Sequence, residues 1–197
     1  EICACLVGSE MCIRDRYKPA GHSVALEDVN YLLLHGAADR DVTRFMGMSQ
    51  YENITFTGKG DYLKSALYIG GANHGQFNSL WGARDQTGPA GRFLNVKGLL
   101  AEEDQQRIAQ VFIKVFLDVT LRGDESCRPL LTDWDRYAAQ LPQTVYFQSW
   151  QEAGFTAIAD FEEDSDLETG TMAGVTARTS GVNWWAEELL NLSLIHI

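Results

Sequence analysis

The sequence predicts an α/β fold: a βαβ unit, a long amphipathic helix behind it, and then a stretch of β-rich texture. Three observations carry this. Two short apolar runs, each closed by glycine, flank a short helical segment; one 20-residue stretch repeats apolar residues at helical spacing; and after about Pro142 the chain turns aromatic, β-branched and glycine-rich.

NYLLLHG at 30–36 reads as a buried strand, since it is apolar without alternation and too short for a helix. Uninterrupted runs of this kind suit a parallel sheet covered on both faces. Val42, Phe45, Met46 and Ser49 follow at helical spacing, Gly58 and Gly60 break the pattern, and SALYIGG at 65–71 reads as a second strand. Strand, helix and strand make a βαβ unit with parallel strands. From 102 to 121, Ile108, Val111, Phe112, Val115, Phe116 and Val119 line one helix face. Glu102, Glu103 and Asp104 occupy the first turn, where acids complement the helix dipole, and Arg122 and Gly123 end the helix. TVYFQSW, FTAIADF and GTMAGVTARTSGVNWW read as short strands separated by turns, the start of a truncated all-β, sandwich-like module.

The ends read differently. LVGSEMCIRDR at 6–16 resembles a translation of the transposase adapter used to prepare sequencing libraries, and LSLIHI at 192–197 resembles its translated reverse strand. That resemblance implies a fragment of metagenomic origin, whose own sequence spans 17–191. The organisation expected is therefore 1–16 adapter-derived, 17–138 an α/β portion, 139–191 the start of the β module, and 192–197 adapter-derived.

Composition excludes several classes. Of the four cysteines only Cys127 lies outside the adapter-like segments, which leaves no disulfide framework and no zinc site. The chain carries 16 basic and 27 acidic residues, and without Arg14, Arg16, Glu1, Glu10 and Asp15 these become 14 and 24. So acidic a chain does not suit nucleic acid or an anionic membrane surface. No apolar run approaches the ~20 residues that span a bilayer.

The chemistry concentrates just beyond the two strand ends. Asp39 follows the first in HGAADRDV and His74 follows the second in GGANHGQF. Sites in open parallel sheets form outside the carboxyl ends of strands. A carboxylate that accepts from a histidine ring N–H fixes the tautomer and stabilises the imidazolium formed when the ring takes a proton. The competing reading of Asp39 is a helix cap, with Asp41 a candidate for both roles; Asp39 is favoured as the acid and Asp41 as the cap. His35 reads as structural. Asp39, Asp41 and His74 as metal ligands are disfavoured because a second histidine is lacking, so no metal and no cofactor are expected. Six acids between Asp160 and Glu168 read as a solvated loop in preference to a calcium site, and Trp184 and Trp185 as core in preference to a sugar platform.

LLLHGAADRDV, then GANHG 35 residues beyond Asp39, then a long amphipathic helix, resembles the C-terminal part of an α/β-hydrolase, nearest to dienelactone-hydrolase-like serine esterases. The resemblance implies the C-terminal βαβα portion of that parallel sheet. It implies Asp39 in Gly36-Ala37-Ala38-Asp39 as the acid of a catalytic triad and His74 in Asn73-His74-Gly75 as its base. The family's nucleophile sits in GxSxG on a strand-to-helix elbow. That motif is absent: GMSQY at 47–51 lacks the second glycine. The expectation is a fragment of a serine carboxylic ester hydrolase, inactive alone, acting on a small-molecule ester, with the nucleophile upstream. An aspartate nucleophile in place of serine, and a non-catalytic carbohydrate- or surface-binding protein on the same scaffold, stay open. Oligomeric state and localisation are not legible.

Overall fold

A computed structural model describes residues 2–4, 25–42, 46–85, 95–159 and 166–183. The protein is of mixed α/β class. Its elements in chain order are β1 (Ile2–Ala4), β2 (Leu26–Glu27), β3 (Asn30–Gly36), α1 (Met46–Glu52), β4 (Ile54–Thr55), β5 (Leu63–Ile69), α2 (Glu102–Arg122) and β6 (Tyr146–Glu152). Three 3₁₀ turns, Gly75–Phe77, Glu125–Leu131 and Trp134–Gln140, complete the described structure.

The main sheet has the order β1-β3-β5-β6, with β2 and β4 forming a separate parallel pair. β3 and β5 run parallel in the register Tyr31 to Lys64 through Gly36 to Ile69, so both strands end at the same edge of the sheet. The chain between them holds α1, which is the βαβ unit expected from the sequence. NYLLLHG forms β3 over the predicted residues; β5 begins two residues earlier than the apolar pattern suggests, because Lys64 interrupts that pattern yet lies buried.

Alternation along β3 and β5 builds two cores. Leu32, Leu34, Leu63, Leu67 and Ile69 face α2 and pack on Ile108, Phe112, Val115, Phe116 and Val119. Tyr31, Leu33 and Ala66 face the other way, onto Tyr51 and Ile54. Burial on both faces is the physical reason that neither strand alternates in hydropathy. Lys64 is accommodated because its Nζ donates to the carbonyls of Tyr51 (3.0 Å) and Ile54 (2.7 Å) and lies 4.5 Å from the Tyr51 ring centroid. The predicted helix forms as α2 and ends at Gly123, whose φ of 66° is left-handed, a conformation glycine adopts without a Cβ penalty.

Two expectations are corrected. TVYFQSW does contain a strand, but β6 pairs antiparallel with β5 from Leu63–Glu152 to Ile69–Tyr146 and so closes the main sheet, where the sequence places the opening of a β module at 139. Compact unit one runs to Gly154 and unit two is Phe155–Ile197. Short-range hydropathy could not reveal this, since strand partner choice depends on the tertiary contacts that Tyr146 and Gln148 make. Of FTAIADF, residues 155–159 form no strand; in unit two, among the described residues, the β pairing is one isolated bridge, Thr169 to Thr176. Trp184 and Trp185 lie outside the described residues.

β1 lies within the segment read as adapter-derived and pairs parallel with the first three residues of β3. An open sheet edge presents a row of N–H and C=O groups to which an extended segment can add.

Candidate active site

The loops that leave β3 and β5 are laced together before any functional side chain is considered. Ala37 N donates to Ile69 O (2.9 Å) and Ala38 N to Ala72 O (2.8 Å). A Cβ on Gly36 would stand 2.5 Å from Ala72 O, so glycine is what permits this approach. Gly71 turns the second loop with φ 69°, and its carbonyl receives Leu100 N at 2.8 Å. The sequence suggests that the glycines around His74 make room for a turn and a substrate. The turn is present at Gly71; at Gly75 the space is taken by the protein itself, since a Cβ there would collide with the carbonyl of Gly82.

The laced loops bring Asp39 and His74 together. Asp39 Oδ2 lies 3.0 Å from His74 Nδ1, and the two side chains are 8% and 9% exposed. The other Asp39 oxygen, Oδ1, accepts from the backbone N–H groups of Asp41 (2.9 Å) and Val42 (2.7 Å). Asp39 therefore meets His74 with one oxygen and closes a local backbone turn at 41–42 with the other; that turn is not a helix start, and the helix cap expected of Asp41 falls at residues 43–45, outside the described residues. Asp41 is half exposed and places Oδ2 3.9 Å from His74 Nε2. A carboxylate at Nδ1 requires that nitrogen to carry hydrogen in the neutral ring, which leaves the lone pair on Nε2.

The electrostatics favour the charged ring. The hydrogen bond that His74 donates to Asp39 raises its pKa above 6.5; burial opposes it, and the charges of Asp39, Asp41 and Asp85 add to the rise. His35 behaves oppositely: burial lowers its pKa, Asp39 pulls upward and His74 pushes down. It stacks on Tyr68 with ring centroids 5.5 Å apart, in keeping with a structural role.

Four side chains that sequence reasoning left aside complete the setting. Trp81 stacks on the His74 ring at 5.8 Å between centroids and 11° between planes. Asp85 Oδ1 accepts from Asn73 Nδ2 (2.6 Å) and Gly75 N (2.9 Å), and its Oδ2 accepts from Arg40 N (2.8 Å). Gln105, fully buried on α2, receives Asn73 N on its Oε1 (3.1 Å) and donates Nε2 to Asn73 O (2.6 Å). Gln76 donates to Leu100 O at 2.9 Å. A glutamine on the apolar stripe of a long helix is the one signal available beforehand: Gln105 precedes Ile108 by three residues on the same face.

No protein-family model matches this chain, and no curated protein or solved structure matches it. The site must therefore be read from its own geometry. Among the described residues, no group of three histidine, cysteine, aspartate or glutamate side chains is placed to hold a metal ion, and no helix is long and apolar enough to cross a membrane. GMSQY, weighed as a nucleophile motif, lies inside α1, so Ser49 is on a helix and not at a strand-to-helix turn. Of the acidic run, Asp166 and Glu168 are described, and Asp166 Oδ1 accepts from Glu168 N at 3.0 Å, a local turn.

Proposed function

We propose that Asp39 and His74 are the acid and base of a serine carboxylic ester hydrolase of the α/β-hydrolase type, whose nucleophile belongs to sequence upstream of this chain. The observation that carries the reading is the 3.0 Å contact between Asp39 Oδ2 and His74 Nδ1, made by two buried side chains just past the ends of adjacent parallel strands. Strand-end placement is where α/β sheets assemble their sites. The order acid then histidine is that of the family.

In this mechanism the nucleophile hydroxyl gives its proton to His74 Nε2 as its oxygen attacks the ester carbonyl carbon. Asp39 holds the Nδ1–H and stabilises the imidazolium. The imidazolium then returns the proton to the departing alkoxide, leaving an acyl-enzyme. Water attacks that ester, again losing its proton to Nε2, and the acid product leaves with the hydroxyl restored. Excess negative charge around the ring, from Asp39, Asp41 and Asp85, suits a base that must become cationic.

The test uses the complete reading frame. Lack of a GxSxG elbow upstream would sink the proposal; an aspartate at that elbow would move the activity to a related class using the same acid and base. With the elbow present, His74→Ala abolishes hydrolysis of a simple aryl ester, and Asp39→Asn lowers kcat by roughly 10⁴-fold with little change in fold. The chain as it stands, without a nucleophile, shows no turnover.

A further inference from the structure

We infer that Asp85 is a positioning residue, a carboxylate clasp that locks the Asp39 loop and the His74 loop into one unit; this rests on reading those two residues as acid and base. The geometry is specific. Oδ1 takes the side-chain amide of Asn73 and the backbone N–H of Gly75, the residues on either side of His74, and Oδ2 takes the backbone N–H of Arg40, the residue after Asp39.

Several short polar side chains in the described loops act locally. Asn78, Asn95 and Asp124 each accept from the N–H two residues ahead, at Leu80, Lys97 and Ser126. Asp85 instead spans 10, 12 and 45 residues. Together with Asp39 it engages three consecutive N–H groups, Arg40, Asp41 and Val42, and so ties down the backbone that carries the acid. The same loop sets Trp81 on the imidazole and the Gly82 carbonyl against Gly75. One segment thus fixes the base from its two flanks and from one ring face. Catalytic groups need to be held within about 0.5 Å of their working geometry, which is what such a support supplies.

The experiment is NMR of the full 197-residue chain with labelled histidine, following the His74 Nδ1–H resonance and the titration of both ring environments. In Asp85→Ala the hydrogen-bonded Nδ1–H signal broadens or disappears and the His74 titration moves down towards 6.5, while the His35 titration and far-UV circular dichroism stay as in the parent. Asp85→Asn keeps one acceptor oxygen for Asn73 and Gly75 but cannot serve Arg40 with the other atom, and it shows a weaker form of the same change. Should Asp85→Ala not fold, Asp85→Asn decides. A hydrogen-bonded Nδ1–H signal that persists in the folded variant overturns the inference and leaves Asp85 a loop staple, whatever the loss of melting temperature and whatever the titration does, since loss of the Asp85 charge lowers the titration by itself. These readouts need no turnover. Absence of esterase activity in the complete protein would therefore remove the hydrolase reading alone, whereas unaltered His74 resonances would remove the clasp alone.

Discussion

The two oxygens of Asp39 do two different jobs. Oδ1 closes the backbone turn after β3 and Oδ2 faces His74, so Asp39→Ala costs the loop its shape as well as the histidine its partner, whereas Asp39→Asn keeps an acceptor for the turn. The charge balance around His74 and His35 has a measurable consequence. His74 is held protonated above 6.5 by Asp39, and His35 is held neutral below 6.5 by burial. In a histidine-resolved NMR titration His74 therefore titrates later than His35. The linkage signs are opposite. A raised folded pKa at His74 gives stability that is fully present below 6.5 and is lost as pH rises through the folded value. A lowered folded pKa at His35 makes stability fall as pH drops from 6.5 through its folded value. Asp39→Asn should bring the His74 titration down and flatten the alkaline limb of the stability profile measured by urea unfolding. If His74 titrates at or below 6.5 in the parent chain, its contact with Asp39 is not made in solution.

At the scale of elements, the site depends on α2 as much as on the strands. Gln105 lies among Ile108, Phe112 and Phe116 on the buried face and pairs with both backbone groups of Asn73, so the helix reads the position of the base loop through one side chain. Gln105→Met has similar volume and suits a helix, but leaves a buried N–H and a buried C=O unpaired. At ~1–3 kcal/mol for each unsatisfied group, the expected loss is roughly 2–6 kcal/mol in urea unfolding. A loss under about 0.5 kcal/mol would mean that the Asn73 backbone finds other partners. The longer elements were legible locally, whereas the two-residue strands β2 and β4 were not. β3 and α2 stand where periodicity puts them, because a doubly buried strand and a one-sided helix each write their environment into the spacing of apolar residues. The 3₁₀ turns at Glu125–Leu131 and Trp134–Gln140 were not, since Leu130 and Leu131 are buried by contact with α2 and follow no period of their own.

For the whole molecule, both cores draw their buried residues from between Val29 and Tyr146, and the hydrogen bonds of the site lie between Gly36 and Gln105. The described cores and the site thus fall within unit one. A chain ended after Gly154 should keep a single cooperative urea transition and the His74 titration of the full chain; a broad or absent transition would show that 155–197 supplies part of the stability. The acid and the base illustrate how far sequence carries. Asp39 and His74 stood out because each follows an apolar run closed by glycine, and local order along a chain is sufficient to see that. The partner strand of TVYFQSW, the space beside Gly75, and the roles of Trp81, Asp85 and Gln105 were decided only in the tertiary structure. Each depends on a contact between residues 7 to 89 positions apart, and such contacts leave no mark on the spacing of residues nearby.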